Sequence, residues 1–235
     1  NLMLYESAPV FNPTHLFGLF SVFTPDVISG VNIYQANIPA KYGGRIASVV
    51  DVKVKNPYTD RLKIEGGIGV ISSRFTISTP IIRDKLMLLA GGRVGFTDFL
   101  FPLLIPRLKN TKANFSDSTV KLLYLPNENN QLTYTHFYSK DFYQLDLISS
   151  IENIVSSSNQ YDFGTSNHTL RWLHGFENNT NLVGTLVHSS YLPKNLFPEI
   201  DSSNVIQFES QIQYTSAQFE YKDNSKDEFD YYAGV

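Results

Sequence analysis

From Arg61 onward, hydrophobic and polar residues alternate along long segments, which is the pattern of β-strands with two different faces. Residues 206–214 follow this period of two, with apolar side chains at even positions and Gln or Glu at odd ones. Residues 229–235 alternate in the same way. One face of a third segment carries Leu86, Leu88, Ala90, Val94 and Phe96, against Arg93 and Thr97 on the other. Such segments are long enough for the roughly 9–11 residues that a membrane-crossing strand needs.

Compact polar turns separate these segments, and longer loops alternate with the turns. The turns lie at 80–85, 126–130, 177–181 and 223–227, and the Pro-, Asn- and Ser-containing stretches lie at 102–116, 141–161 and 193–204. Short turns on one rim and long loops on the other are typical of outer-membrane β-barrels. The pattern therefore predicts about eight antiparallel strands without helices, and polar positions such as Gln207–Gln213 predict a wide, wet lumen.

Three local features qualify this pattern. The apolar positions change parity at Val70–Ile71, which predicts a β-bulge. Phe137 falls on the face opposite Leu132 and Tyr134. Aromatic residues near strand ends suit the girdle of a membrane barrel, or alternatively the core of a soluble sandwich; they are Phe142, Tyr143, Tyr161, Phe163, Tyr191 and Tyr221.

The first 55 residues have a different, mixed pattern. Thr24 as N-cap, Pro25 and Asp26 predict a short helix over 25–29 that ends at Gly30. Strands are predicted at 31–34 and 46–54, with a tight turn between them at Gly43–Gly44, where glycine tolerates positive φ. The sequence therefore divides into a mixed segment, 1–55, and a strand-rich segment, 56–235.

Composition narrows the function classes. The net charge of −3 argues against a polybasic nucleic-acid-binding protein, and the absence of cysteine excludes disulfide scaffolds and thiol nucleophiles. Neither a catalytic constellation nor metal-ligand spacing is visible, so we expect no enzyme, no metal and no cofactor. The histidines are instead expected at the lumen or at interfaces; they are His15, His136, His168, His174 and His188.

The strand count leaves two interpretations. An eight-stranded barrel is filled by its own side chains, so it has no room for a 55-residue segment. An open sheet in lipid would leave backbone groups at both edges unpaired, at several kcal/mol each. The segment 56–235 is therefore either an incomplete part of a larger barrel or not a membrane barrel. The first is favoured because the chain stops in mid-pattern at Tyr232–Val235.

Residues 20–54 resemble the second half of the plug domain of TonB-dependent outer-membrane receptors. The corresponding features are the helix start at Asp26 and Ile28, the strand at Val31 and Tyr34, the Tyr42–Gly43–Gly44 turn and the closing strand Ser48–Val54. Residues 66–85 resemble the first barrel hairpin. The closing strand departs from the family's more widespread Asn-rich form, which leaves the ligand class open.

The resemblance implies a mainly β fold: a transmembrane antiparallel β-barrel, with about eight of about 22 strands present, and part of a mixed α/β plug. It implies uptake of a scarce nutrient across the Gram-negative outer membrane, energised by TonB with ExbB and ExbD. Outer-membrane lipid and a surface lipoprotein are further implied partners. The plug motif comprises Asp26, Tyr42, Gly43, Gly44, Arg45 and Asp51, of which Arg45 and Asp51 are either ion pairs to the barrel or solvated charges.

A second function stays open, namely a soluble or surface-attached β-sandwich that binds a ligand such as a glycan through Tyr- and Asn-rich loops. A barrel needs a continuous apolar band that faces lipid, whereas a sandwich buries that face and has short strands. Tertiary structure distinguishes the two.

Overall fold

The computed structural model describes residues 1–43, 47–105, 111–146, 158–177, 179–198, 205–226 and 229–234. The first 54 residues form six short strands: β1 (Leu2–Tyr5), β2 (Ala8–Pro9), β3 (Thr14–His15), β4 (Phe20–Ser21), β5 (Ile28–Gln35) and β6 (Ser48–Val54). Four of them make a small sheet in the order β2-β1-β6-β5, in which β1 and β6 are parallel. Strands β3 and β4 form a separate hairpin beside it.

The rest of the described chain is a large antiparallel sheet, here called the wall. Its strands are β7 (Lys63–Ile68), β8 (Ser72–Ile82), β9 (Leu86–Gly95), β10 (Lys112–Asn127), β11 (Asn130–Asp146), β12 (Ser158–Gly175), β13 (Thr180–Pro198), β14 (Val205–Glu209), β15 (Ile212–Lys226) and β16 (Phe229–Gly234). Each strand pairs with the next along the chain, except that β13 pairs with both β14 and β15. The predicted antiparallel, mainly β architecture is confirmed.

Strands β14 and β15 continue one another. Both pair with β13 in a single register, Lys194 opposite Glu209 and Tyr191 opposite Ile212. The ten strands of the wall therefore occupy nine positions within the described residues, one more than the eight expected. In the described part of the chain the wall does not close on itself, because β7 and β16 form its two edges.

Several local predictions are wrong in detail. The parity change at Val70–Ile71 is not a bulge but lies in the connection between β7 and β8, where the Gly69 amide bonds to the Ser72 carbonyl. A short helix, α1 (Thr97–Leu104), follows β9 where no helix was expected. The long strands also extend well into the predicted loops, so that β11 and β13 run to 17 and 19 residues.

The helix predicted over 25–29 is only a 3-10 turn, Pro25–Val27, and β5 begins directly after it. Thr24 does not cap this turn, because its hydroxyl bonds instead to Asp117 of the wall. Within the described residues, no helix is long and apolar enough to cross a membrane.

The wall has one covered and one open face. Odd-numbered residues of β10 are buried from Ala113 to Leu123, whereas the even-numbered ones between them are at least partly exposed. The covered face packs on the small sheet, which supplies most of the principal apolar cluster; its members are Tyr5, Val10, Val22, Val27, Val52, Val54, Leu89 and Phe137. We call these faces inward and outward.

Two face assignments made from the sequence are wrong. Ile212 and Tyr214 lie opposite Tyr191 and Ser189, which face inward, so Gln207, Glu209 and Gln213 face outward rather than into a lumen. Among the aromatic residues assigned to a girdle, Tyr143, Tyr161, Phe163 and Tyr191 also face inward, and Tyr143 and Phe163 belong to a second apolar cluster with Leu16. Alternation locates two faces but does not say which of them meets lipid.

Candidate functional site

The contact between the small sheet and the wall holds a buried polar cluster centred on Asp117 of β10. Its carboxylate accepts hydrogen bonds from Arg93 on β9, at 2.8 Å from Nε, and from the Thr24 hydroxyl. His15 bridges Asp117 and Asp141: Nε2 lies 3.3 Å from Asp117 Oδ2, and Nδ1 lies 2.8 Å from Asp141 Oδ1. The His15, Asp117 and Asp141 side chains are each at most 1% exposed. We call these five residues the Asp117 cluster.

The protonation of His15 follows from this geometry. Burial lowers the pKa of His15, but hydrogen bonds to Asp117 and Asp141 and the charges of both carboxylates outweigh it, so the pKa is raised overall. The imidazolium then donates from both ring nitrogens, and each bond to a carboxylate is charge-assisted. The cluster thus joins two charged groups from the β-strands of the wall to one from the N-terminal residues.

Because the folded pKa of His15 is raised, its stabilisation is fully present below the unfolded value of about 6.5 and is lost as pH rises through the folded pKa. We expect amide hydrogen exchange across 13–22, corrected for its intrinsic pH dependence, to accelerate in that upper window. His15→Gln keeps hydrogen-bonding capacity without a titrating charge, so its exchange should lack this step. An identical step in the variant would contradict the assignment to His15.

A second buried ion pair lies closer to the short turns. Lys121 Nζ on β10 is 3.3 Å from Glu6 Oε1 and also donates to the Val54 carbonyl at 3.1 Å. The Lys121 side chain is only 4% exposed. A buried ammonium needs such partners, since removing one of them strands a charge in a low-dielectric interior.

Side chains of the wall also satisfy backbone groups of the small sheet. Asn167 and Ser189 both donate to the Pro9 carbonyl, and Thr169 donates to the Glu6 carbonyl. The Tyr5 hydroxyl lies 2.7 Å from Thr119 Oγ1. Glu6 and Ser7 adopt positive φ in this segment, a conformation that these bonds help to hold. Inward threonine, serine and asparagine therefore act as partners for the N-terminal residues rather than as the lining of an open pore.

Packing at this contact has no slack at Gly91 of β9. A Cβ added at Gly91 would lie inside 3.0 Å of Val27 Cγ1 and 3.1 Å from Thr76 Oγ1. Gly91→Ala should therefore lower the free energy of unfolding by about 1–3 kcal/mol through overpacking. Denaturant titration of the variant would measure this, with Gly30→Ala as control, since nothing lies within 4 Å of a Cβ added there. Equal effects of the two substitutions would contradict a close contact at Gly91.

The residues of the predicted plug motif are spread over this contact rather than gathered in one place. Asp26 makes an ion pair with Arg74 of β8, 2.7 Å from Nε to Oδ2, and both side chains are partly exposed. Asp51 is 2% exposed and has its partners inside the small-sheet region, where Tyr42 donates to it and Lys53 Nζ lies 3.0 Å away. Burial and the Asp51 carboxylate raise the pKa of Tyr42.

Gly44 and Arg45 lie outside the described residues, so the predicted ion pair of Arg45 stays a prediction. Gly43 does not have positive φ; the described glycine that does is Gly18, at +103°. Tyr42, Gly43 and Asp51 line a cavity of about 720 Å³ between the small sheet and the wall, together with Lys121 and Arg171.

At the end of the wall opposite the short turns, aromatic side chains from both parts meet. Phe17 stacks on Tyr143 with ring centroids 4.3 Å apart, and Phe11 stacks on Tyr191 at 6.3 Å. Phe17 and Leu19 are 69% and 75% exposed at the tip of the β3–β4 hairpin. Leu16 and Phe17 both have positive φ there, which is strained for such residues. An exposed, strained aromatic tip is the kind of surface that binds a ligand.

The sequence gave no signal for this aromatic tip or for the Asp117 cluster. Positions 15, 93, 117 and 141 are far apart in sequence, and only strand register brings them together. A weaker signal was available for Phe137, whose wrong-face position reflects packing on Tyr5, with ring centroids 4.7 Å apart. Across the described ranges, no group of three or more His, Cys, Asp or Glu side chains is placed to hold a metal ion.

Comparisons with known proteins identify the fold. No protein-family model and no curated protein matches the sequence. Among solved structures, the chain is similar to the ferripyoverdine receptor of the outer membrane of Pseudomonas aeruginosa, with 14% identity and a TM-score of 0.66 over 94% of this chain and 33% of that one. A structure of FpvA from P. aeruginosa bound to a heterologous pyoverdine matches all of this chain and 44% of that one, with 10% identity and a TM-score of 0.55.

The chain has the fold of part of a TonB-dependent outer-membrane receptor. The resemblance noted at residues 20–54 is thereby confirmed at the level of the fold. The chain spans about a third of the first receptor and less than half of the second. Its unclosed wall corresponds to part of a barrel in these neighbours, so the sandwich alternative is not supported.

Proposed function

We propose that residues 1–55 are the C-terminal part of a plug and that residues 56–235 are the first strands of its barrel, in a TonB-dependent receptor of the Gram-negative outer membrane. The receptor takes up a scarce nutrient, driven by TonB with ExbB and ExbD, and has no catalytic role. The observation that carries this proposal is the buried polar contact between the two parts. A plug must seal the barrel and yet be movable, and a contact made of hydrogen bonds and ion pairs separates into water at less cost than an apolar one.

The ligand site is proposed at the aromatic tip formed by Phe11, Phe17, Tyr143 and Tyr191. This surface lies on the long-loop rim, which faces outward from the cell in barrels with short periplasmic turns. Ring faces and the exposed Leu19 favour a bulky ligand with apolar or aromatic surface. The solved neighbours are siderophore receptors, so a ferric siderophore is the class to test first.

Location and transport are tested separately. The full-length protein should fractionate with the outer membrane and change its electrophoretic mobility on boiling, as a closed barrel does. Uptake of radiolabelled iron from a panel of ferric siderophores should fall in a deletion strain and equally in a strain without TonB. A soluble protein with unchanged mobility would contradict the barrel, whereas an inserted barrel without iron uptake would contradict only the ligand class.

A further inference from the structure

The outward face of the wall divides into two sectors of different chemistry. All five outward positions of β9 are apolar: Leu86, Leu88, Ala90, Gly92 and Val94. On β12 the outward series begins with Trp172 and Leu170 and then becomes His168, Ser166, Gly164 and Asp162. A barrel in lipid presents an apolar band about 25 Å tall, which β9 supplies and β12 does not.

Three histidines form a row across the polar sector. His136, His168 and His188 lie directly opposite one another on β11, β12 and β13. Their ring centroids are 4.6 Å and 6.4 Å apart, and Tyr134 and Thr215 hydroxyls lie 2.8 Å and 2.9 Å from His168 Nδ1 and His188 Nδ1. His168 is about eight residues from the short turn, or about 18 Å above it for a strand tilted by about 45°. This depth lies inside the lipid band, where exposed polar groups are costly.

Beyond the histidines, charges of alternating sign cross the same strands. Asp162 lies opposite Lys194, and Lys194 lies opposite Glu209. On the other side of Asp162, Lys140 Nζ is 3.2 Å from Asp162 Oδ2. From β11 to β14 the order is therefore positive, negative, positive, negative. Read in the reverse direction the order becomes negative, positive, negative, positive, so the row is complementary to a rotated copy of itself.

We propose that the outward face of β11–β15 is an interface with a second copy of this barrel, related by a twofold axis along the membrane normal between β12 and β13. In such an isologous contact Asp162 of each copy faces Lys194 of the other. Neutral imidazole carries one donor and one acceptor, so a histidine row can hydrogen-bond to the same row of a second copy. The proposal rests on the outer-membrane location proposed above, because the polar sector is anomalous only in lipid.

Cysteine cross-linking of the full-length protein in outer membranes tests the interface. Ser166 and Ser190 lie opposite one another next to the proposed axis, and the chain contains no cysteine of its own. Ser190→Cys should form a disulfide-linked homodimer on oxidation, and Ser166→Cys should do the same. Ala90→Cys, in the apolar sector on β9, is the matched control and should stay monomeric. Monomers from both serine variants, or a cross-link to a different protein, would overturn the proposal.

Charge substitutions provide a second, independent test in the Ser190→Cys background. Asp162→Lys places like charges opposite each other and should lower the cross-linked fraction about tenfold. Adding Lys194→Asp exchanges the two charges, restores opposite signs and should recover the dimer. An unchanged yield in Asp162→Lys would contradict the charge pairing. Heat-modifiable mobility of each preparation shows that the barrel is inserted, so a monomeric inserted barrel refutes the interface and leaves the receptor function standing.

Discussion

Oxidation of a Val27→Cys/Gly91→Cys double variant should abolish nutrient uptake by the full-length receptor, and reduction should restore it. Val27 lies in the 3-10 turn before β5 and Gly91 lies on β9 of the wall. A Cβ built at Gly91 is already closer to Val27 Cγ1 than real side chains approach, so a sulfur in the Cγ1 position is within bonding reach of a sulfur on residue 91. The bond would tie the plug to the wall, and uptake that requires plug movement would stop. Radiolabelled iron uptake, measured before and after reduction of the same cells, gives the result.

The matched control places the same bond within the wall. Ser118→Cys/Gly92→Cys joins β10 to β9 at a register pair, where a Cβ on residue 92 lies 3.8 Å from Ser118 Cβ. This disulfide crosses no boundary between the two parts, so uptake should survive oxidation. Loss of uptake in the control as well would mean that oxidation itself damages transport. Full uptake through an oxidised Val27–Gly91 pair would mean that the plug does not move relative to β9.

Asp117→Ala should have the largest effect on stability among single substitutions in the described chain. It removes the acceptor shared by His15, Arg93 and Thr24, and leaves the Arg93 side chain, 10% exposed, without its carboxylate. Breaking a buried pair by removing one partner typically costs about 3–5 kcal/mol. Because the cluster joins the N-terminal residues to the wall, we expect the loss to appear as early release of residues 1–55 in denaturant, followed by protease digestion.

Two comparisons make this prediction specific. Glu128→Gln removes an acid from an exposed turn and should change the free energy of unfolding by no more than about 0.5 kcal/mol. In a double-mutant cycle, His15→Gln and Asp117→Ala should show strong coupling, because the two side chains share a hydrogen bond. Additive effects of the two substitutions would show that His15 and Asp117 act independently.

The strand-rich architecture was predictable because a strand has a period of two and short turns have a distinct composition. Even the mistaken details preserve that local logic, since Val70 and Ile71 do interrupt a strand pattern, as a connection rather than a bulge. The helix α1 was missed because Pro102 interrupts an otherwise apolar stretch and was taken to exclude a helix. The candidate site was not predictable, because its partners lie about 100 or more residues apart, as His15 and Asp117 do (|i−j| = 102).

By itself, the sequence determined that residues 61–235 form long antiparallel strands with two unlike faces, and that residues 20–54 resemble a plug. The choice of face belonged to the tertiary structure. Gln207 and Gln213 had the alternation of a wet lumen, but their strand pairs with Tyr191 and Ser189 in the register that turns them outward. The physical reason is that alternation is a property of one strand, whereas inside and outside are set by what packs on the sheet. Here the small sheet covers one face and thereby buries Asp117, Lys121 and His15 in apposition.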